Sequence, residues 1–312
     1  MSSYSVIFPG QGSQNQTMLD SYKSNNIFNN KLEKASDILG YNIHDVIQDE
    51  GKLNNTLFTQ PIIVAVSVAM WDVWSEECDE KPAYAAGHSL GEYTALVAAE
   101  LISFEECLIL VEERAKLMSA AMKDIEGGMA AIIGLDSSKI IEICSNISAA
   151  DSVIEAVNFN SDKQTVVAGH MKVVKQASEA FKTAGAKLVK ILPVSVAAHT
   201  SIMKKCSEDL YKALKNNNII STGMFPILHN VDASIKEDEH DIIKALTDQV
   251  HSPVLWTQTI KNIDELGANT FIEIGPGNIL TGLNKRILRE SSNISLSSHD
   301  AIIEGIEAVQ TS

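Results

Sequence analysis

Apolar positions divide the chain into short runs typical of buried strands and longer stretches with the spacing of helices. The runs that predict strands in the outer parts of the chain are Tyr4–Phe8, a short run ending at Gly87, Pro226–Asn230 and Thr270–Ile274. The stretches that predict helices are Thr59–Trp74, Leu90–Glu100, Ser103–Lys123, His199–Asn217, Asp241–Val250 and Thr257–Leu266. This alternation predicts an α/β fold with a mostly parallel sheet.

A block of shorter elements interrupts this pattern after Gly127. Its predicted elements are strand Met129–Gly134, helix Ser137–Cys144, strands Val153–Asn158 and Gln164–Ala168, helix Met171–Ala184 and strand Lys187–Leu192. The order β-α-β-β-α-β is that of a ferredoxin-like unit. We therefore expect a large discontinuous domain, residues 1–124 and 195–312, that carries a small inserted domain at residues 125–194.

Composition excludes several classes of function. The 312 residues are 45% hydrophobic and 21% charged, as in globular enzymes, and a net charge of −15 argues against a nucleic-acid partner. The longest apolar run, Pro61–Trp71, is too short to span a bilayer, and nothing near Tyr4–Phe8 reads as a targeting signal. We expect no membrane association and a cytoplasmic location. The four cysteines are far apart and form no CxxC pair, so no metal site is expected.

The pentapeptide Gly87-His88-Ser89-Leu90-Gly91 carries the strongest chemical signal in the chain. In a GxSxG motif the glycines permit a tight turn from strand to helix, which holds the serine hydroxyl out at the carboxyl edge of the sheet. Chance alone produces such pentapeptides, but here a stretch that favours helix follows Gly91 directly. Ser89 is therefore the candidate nucleophile.

A serine nucleophile needs a base, and His199 is the best candidate among eight histidines. It follows the apolar run Ile191–Ala198 and is predicted to open a helix. The alternative is a capping or core histidine. No acidic residue between Ser89 and His199 stands out as the third member of a triad, so the group that orients His199 is expected to be a backbone carbonyl.

Arg114 places a charge on an apolar stripe. On its predicted helix it shares a row with Cys107, Leu110, Leu117 and Ala121. A guanidinium held in a cleft would clamp a substrate carboxylate through two parallel hydrogen bonds. A structural ion pair or a side chain that reaches back to solvent is the alternative.

The glycine-rich turn after the first strand is a candidate source of backbone donors. It lacks the lysine of a phosphate-binding loop and the full spacing of a dinucleotide-binding motif. An oxyanion hole commonly combines the N–H after the nucleophile with one from a neighbouring loop, here Leu90 and Gln11.

Taken together, these motifs resemble those of the malonyl-CoA:acyl carrier protein transacylases of type II fatty acid synthesis. The matching segments are PGQGSQ at 9–14, GHSLGEY at 87–93, Arg114, VNFN at 157–160, PVSVAAH at 193–199, Gln249 before Ser252-Pro253-Val254, and GPGNILTGL at 275–283. They occur in order from about residue 4 to about residue 290, which makes the resemblance far more specific than one pentapeptide.

The resemblance implies a large α/β-hydrolase-like subdomain with a ferredoxin-like insert. It also implies a role for each residue: Ser89 as nucleophile, His199 as base and then acid, the Gln249 main-chain carbonyl as the partner of His199, the N–H groups of Gln11 and Leu90 as the oxyanion hole, Arg114 as the malonyl-carboxylate site, and His88 and Asn158 in the acyl pocket. The implied reaction is ping-pong transfer of malonyl from malonyl-CoA to the phosphopantetheine thiol of acyl carrier protein, with no cofactor.

One departure and three alternatives stay open. Many relatives carry a larger or proline-containing pair before the histidine, whereas this chain has Ala197 and Ala198, so tolerance of methylmalonyl, as in a polyketide pathway, is a hypothesis. A serine hydrolase or thioesterase on the same scaffold is the first rival, and a non-catalytic carrier-binding protein is another.

For an anionic carrier, we expect a basic rim formed by Lys187, Lys190, Lys285 and Arg286.

Overall fold

The computed structural model describes residues 3–194, 196–220 and 222–311, so the predicted domain boundary at Ser195 falls outside them. The strands are β1 Tyr4–Phe8, β2 Tyr84–Gly87, β3 Gly127–Ile133, β4 Ile154–Ser161, β5 Gln164–His170, β6 Leu188–Ile191, β7 Ile227–Leu228, β8 Thr270–Glu273 and β9 Ser292–Ser295. The helices are α1 Asn26–Leu39, α2 Ile43–Gln48, α3 Glu50–Leu53, α4 Thr56–Glu77, α5 Gly91–Ala98, α6 Phe104–Ala121, α7 Ser137–Ile147, α8 Met171–Thr183, α9 Lys204–Lys215, α10 Glu239–Gln249, α11 Trp256–Glu265, α12 Ile279–Ile287 and α13 Ala301–Thr311.

A parallel sheet of five strands, ordered β7-β2-β1-β8-β9, forms the centre of the large part of the chain. Its middle strand β1 is buried along its whole length. Tyr4, Val6 and Phe8 join one hydrophobic cluster, while Ile7 joins another with Trp256. Because side chains alternate across a strand, these two clusters lie on opposite faces, and helices cover both. The predicted α/β fold with a parallel sheet is confirmed.

The helix predicted at 59–74 is the longest in the core and begins earlier, at Thr56. The side chain of Asn55 caps it by accepting the N–H of Leu57. Pro61 therefore lies in the second turn of the helix, where its missing N–H removes one helical hydrogen bond. Among the described residues, this one helix is long and apolar enough to cross a membrane, yet most of that span is buried inside the protein.

The block of short elements forms a second, antiparallel sheet of four strands, ordered β4-β5-β3-β6. All six elements predicted from the sequence are present, with boundaries shifted by a few residues. Helices α7 and α8 pack on one face around a separate hydrophobic cluster that includes Ile132, Val167 and Phe181.

Two predictions about local structure were wrong. His199 does not open a helix: it has φ 64°, a short 3-10 turn follows at Ser201–Met203, and α9 begins only at Lys204. The reason is tertiary, because the N–H of His199 donates to the carbonyl of Val250 instead of entering a helical ladder. The strand predicted at 226–230 is also shorter and ends at Leu228.

Candidate active site

Ser89 lies on a sharp turn between β2 and α5, at the carboxyl edge of the parallel sheet. Its φ of 53° is in the left-handed region that residues other than glycine rarely adopt. The two glycines of the motif are required by close packing. A Cβ on Gly87 would lie 1.9 Å from the carbonyl carbon of Gly91, and one on Gly91 would lie 2.0 Å from the carbonyl oxygen of Phe8. Only glycine lets the turn pack this closely against β1.

His199 lies beside the serine hydroxyl, 110 residues away in the chain. Its Nε2 is 2.7 Å from Ser89 Oγ, and its Nδ1 is 2.7 Å from the main-chain oxygen of Gln249. A carbonyl oxygen only accepts, so Nδ1 carries the proton and Nε2 presents its lone pair to the hydroxyl. The structure thus brings together three residues singled out from the sequence, with a carbonyl where a triad has its carboxylate.

Burial, and after it the nearby Arg114 cation, lowers the pKa of His199 to about 3, against the opposing effect of the hydrogen bond to the Gln249 carbonyl. The imidazole is therefore neutral at physiological pH. A neutral imidazole with its free lone pair on the hydroxyl is the form that accepts a proton from serine.

Arg114 is buried beside this pair, with only 2% of its surface exposed. Its guanidinium donates to two amide oxygens, Gln60 Oε1 at 2.6 Å and Gln249 Oε1 at 3.0 Å, and lies 5.3 Å from the ring centre of Tyr93. Its Nε has no partner, and no ion pair joins it to a carboxylate among the described residues. A buried cation held by neutral groups, with donors to spare, is suited to binding an anion.

The first turn of the chain packs against the turn that carries Ser89. A Cβ built on Gly10 would lie 2.4 Å from the carbonyl oxygen of His88 and 3.6 Å from the nitrogen of Leu90. The backbone N–H groups of Gln11 and Leu90 make no hydrogen bond within the described chain. Two free donors on adjacent turns at the serine match the arrangement of an oxyanion hole.

The two residues expected in an acyl pocket lie on the side of the small sheet. His88 Nε2 is 2.8 Å from Asn160 Oδ1, its ring lies 5.5 Å from that of Trp256, and burial lowers its pKa. Asn158 lies on β4, which bridges to Val254, and its Oδ1 is buried without a partner. The amide of Asn158 is therefore free to contact a bound group.

Sequence reasoning missed a set of buried polar residues behind the serine. Asn230 Oδ1 accepts the N–H of Ser89 at 2.7 Å, and Gln60 is the first partner of Arg114. Glu92, fully buried on α5, was not recognised as an acid of the site. One signal was available: Glu92 follows Ser89 by three residues and lies on the first turn of α5, the helix into which the Ser89 turn leads.

A cavity of about 970 Å³ opens at the other end of the parallel sheet. It is lined by Tyr4, Trp74, Pro82 and Phe225, which lie near the amino ends of β1, β2 and β7. None of the residues described around Ser89 lines it. Ligands of α/β sheets bind at the carboxyl ends of the strands, which favours the Ser89 edge as the reactive site.

The sheet, the turn and the paired histidine define a class of protein, the enzymes that transfer acyl groups through an activated serine. Residues 6–300 match the family model described as acyl transferase domain. The malonyl CoA-acyl carrier protein transacylase of Salmonella typhimurium is 42% identical over 291 residues, which cover 92% of this chain and 94% of that protein. The chain belongs to the acyl transferase family, among the malonyl CoA-acyl carrier protein transacylases.

Solved structures agree with this assignment. The malonyl CoA-acyl carrier protein transacylase from Coxiella burnetii superposes with a TM-score of 0.95 at 38% identity, covering 99% of this chain and 98% of that one. A malonyl-transacylase in complex with a type II PKS acyl-carrier protein gives a TM-score of 0.95 at 40% identity, covering 98% of this chain and 100% of that one.

Proposed function

We propose that this enzyme transfers the malonyl group of malonyl-CoA to the phosphopantetheine thiol of acyl carrier protein through a malonyl-Ser89 intermediate. The observation that carries the choice of substrate is Arg114, a buried cation with no carboxylate partner among the described residues and with hydrogen bonds that lead to Ser89. Relatives with 42% and 39% identity are named for the same reaction.

In the first half-reaction, malonyl moves from sulfur to Ser89. His199 Nε2 takes the hydroxyl proton as Ser89 Oγ attacks the thioester carbonyl, and the negative oxygen that forms is stabilised by the N–H groups of Gln11 and Leu90. The C–S bond then breaks, and His199 returns its proton to the departing CoA sulfur. The Gln249 carbonyl holds Nδ1–H throughout and stabilises the imidazolium.

In the second half-reaction the same groups work in reverse. The phosphopantetheine thiol gives its proton to His199 and attacks the malonyl ester, and the C–O bond to Ser89 breaks as His199 returns the proton to Oγ. The products are malonyl carrier protein and the free serine, so the reaction consumes no cofactor.

Arg114 gives a physical reason for preferring acyl groups that end in a carboxylate. Of its five N–H donors, two are engaged by the amide oxygens of Gln60 and Gln249, which leaves donors for a substrate carboxylate. A carboxylate anchored there fixes the acyl group between Ser89 and the oxyanion donors. This anchoring disfavours the serine-hydrolase alternative, because an acyl group held in a cleft that excludes water stays on Ser89 until a thiol attacks it.

We propose that the parallel sheet and its helices form an α/β-hydrolase-like subdomain, residues 1–124 and 195–312. The antiparallel sheet then belongs to a ferredoxin-like insert at 125–194. The strand order of the antiparallel sheet and its separate hydrophobic cluster support the second part of this reading. The insert would supply Asn158 and Asn160 to the pocket, which explains how a small domain could shape acyl selectivity.

The carrier protein would dock beside the insert on a basic rim formed by Lys187, Lys190, Lys285 and Arg286. All four side chains are exposed, and Arg286 reaches across to Gln164 at the start of β5. Gln164, Ile133 and Leu188 lie in one row across the sheet, which supports placing Lys187 at the same end as Arg286. We propose that the reaction takes place in the cytoplasm, where its anionic substrates would be present.

A second candidate concerns the acyl group. Ala197 and Ala198 directly precede His199, both have small side chains, and Ala197 is fully buried. We propose that this room admits the extra methyl group of methylmalonyl. Rates of Ser89 acylation by malonyl-CoA and methylmalonyl-CoA test this, and a preference for malonyl above about a hundredfold contradicts it.

The intact chain exposed briefly to malonyl-CoA and analysed by mass spectrometry tests the main proposal. A malonyl adduct on Ser89 that is absent from Ser89→Ala supports it. Neither adduct nor turnover in the wild-type chain would overturn it, and an adduct released mainly to water would establish the hydrolase instead.

A further inference from the structure

A buried carboxylate that the proposed reaction does not use lies directly behind Ser89. Glu92 Oε1 is 2.7 Å from His229 Nδ1, while Oε2 accepts the N–H of Asn230 at 3.0 Å and Nε2 of Gln249 at 2.9 Å. The latter two partners donate, and His229 donates in its Nδ1–H form, so Glu92 can hold all three as an ionised carboxylate. Burying a carboxylate is costly unless hydrogen-bond donors satisfy its oxygens, and both oxygens of Glu92 have partners.

Two of these partners also hold the backbone of Ser89. Asn230 Oδ1 accepts the N–H of Ser89 at 2.7 Å, and its Nδ2 donates to the carbonyl of Gly87 at 2.7 Å. Gln249 Nε2 donates to the carbonyl of Ser89 at 3.0 Å. The left-handed backbone of Ser89 is disfavoured on its own and persists only where its surroundings hold it in place.

The same carboxylate reaches the base through Gln249. The side chain of Gln249 is fixed between Glu92 and Arg114, while its main-chain carbonyl accepts from His199 Nδ1. A shift of Gln249 would move the imidazole as well as the serine. The Glu92 side chain thus contacts the supports of both reacting groups, while its backbone N–H donates directly to the carbonyl of Ser89 at 3.1 Å.

We propose that Glu92 is a positioning residue: it fixes Asn230 and Gln249, and through them holds Ser89 and His199 at reacting distance. A triad acid acts on the imidazole directly, whereas Glu92 acts on the frame around it. The inference uses the proposed function for its choice of substrate, but the frame serves any reaction at Ser89 Oγ.

Glutamine and aspartate at position 92 separate geometry from charge. Glu92→Gln keeps an oxygen for Asn230 and Gln249 and turns its amide toward His229, whose other tautomer then accepts. Glu92→Asp keeps the charge but withdraws the carboxylate by one methylene. Because a displacement of about 1 Å costs about a hundredfold in rate, we expect Glu92→Asp to lose about a hundredfold in the rate constant of Ser89 acylation and Glu92→Gln less than about tenfold. KM for malonyl-CoA stays within about threefold, since Arg114 keeps its Gln60 contact.

Two further measurements separate a positioning role from a general loss of fold. Glu273→Gln removes another fully buried carboxylate, one that accepts N–H groups at the start of α12, and leaves the acylation rate per folded molecule unchanged. In a double-mutant cycle, Glu92→Asp combined with Asn230→Ala loses less than the product of the single losses, because both act on the same support.

Phosphonylation of Ser89 by a fluorophosphonate, measured in the same variants, keeps this inference separate from the proposed function. A wild-type chain that reacts with the fluorophosphonate but not with malonyl-CoA contradicts the proposed function. The relative phosphonylation rates of the Glu92 variants then test the positioning role by itself. Glu92→Asp at or above the rate of Glu92→Gln, fully multiplicative losses with Asn230→Ala, or a change in KM with an unchanged rate constant each overturn the positioning role.

Discussion

Replacing Arg114 by alanine isolates the interaction that selects the substrate. The guanidinium is buried and keeps donors free of protein partners, so a malonyl carboxylate would gain two charge-assisted hydrogen bonds there. Each is worth about 1.5–3 kcal/mol, so the pair is worth about 3–6 kcal/mol. At 1.36 kcal/mol per tenfold, Arg114→Ala lowers kcat/KM for malonyl-CoA by about 10² to 10⁴.

Acetyl-CoA supplies the internal reference for this experiment. Loss of Arg114 also frees Gln249 Oε1, which disturbs Ser89 and His199 whatever the acyl group is. The quantity to measure is therefore the ratio of the malonyl and acetyl rates of Ser89 acylation, in wild-type, Arg114→Ala and Arg114→Lys chains. We expect the ratio to collapse by at least about a hundredfold in Arg114→Ala and partly in Arg114→Lys, which keeps the charge without the planar fork. An unchanged ratio refutes the carboxylate-binding role.

The remaining predictions concern protonation, packing and docking. Because the pKa of His199 is lowered to about 3, its neutral form persists as pH falls, and Ser89 acylation loses less than about twofold between pH 8 and pH 5. A histidine with the ordinary pKa of about 6.5 would lose about thirtyfold, and such a profile contradicts the assignment. Gly91→Ala, which places a Cβ 2.0 Å from a carbonyl oxygen, lowers the free energy of unfolding in urea by about 3 kcal/mol or more, whereas Gly282→Ala, with nothing within 4 Å, does not. Charge reversal at Lys187 and Arg286 raises KM for the carrier protein at low salt and not at high salt; equal values at low salt contradict the basic rim.

The turn around Ser89 could be predicted because its determinants are local. Gly87, Ser89 and Gly91 are close in sequence, and the apolar stretch after them favours a helix. The long helix α6, predicted at 103–123, was equally accessible, since the capping box that Ser103 and Glu106 form at its start is local in sequence. Elements with strong local signals were found, and so was the order of strands β1 to β8, whereas helices α1 to α3, strand β9 and helix α13 were not predicted.

Features that depend on distant contacts could not be predicted. The left-handed backbone of His199 arises from a hydrogen bond to Val250, and the support of Ser89 by Asn230 joins residues 141 positions apart. Helix α1 was missed for another reason. It buries only Phe28, Leu32 and Ala35, so its apolar stripe is narrow and most of its surface is polar.

The residues of the site divide in the same way, into those that the sequence indicates and those whose role depends on packing. The sequence singled out Ser89, His199 and Arg114 as residue types with reactive or binding potential. It did not show that Glu92 is buried, because a carboxylate on the first turn of a helix is usually solvated. In the structure Glu92 points inward to His229, Asn230 and Gln249, which are all far away in the chain.

Transfer from the isolated intermediate tests the central claim most directly. The chain is acylated with malonyl-CoA, freed of excess substrate, and mixed either with holo carrier protein or with buffer alone, while the adduct on Ser89 is followed by mass spectrometry. The account predicts that the malonyl group passes from Ser89 to the carrier thiol within the time of one turnover, and that the adduct persists in buffer alone. An adduct that decays equally fast in both, or that never forms on Ser89, contradicts it.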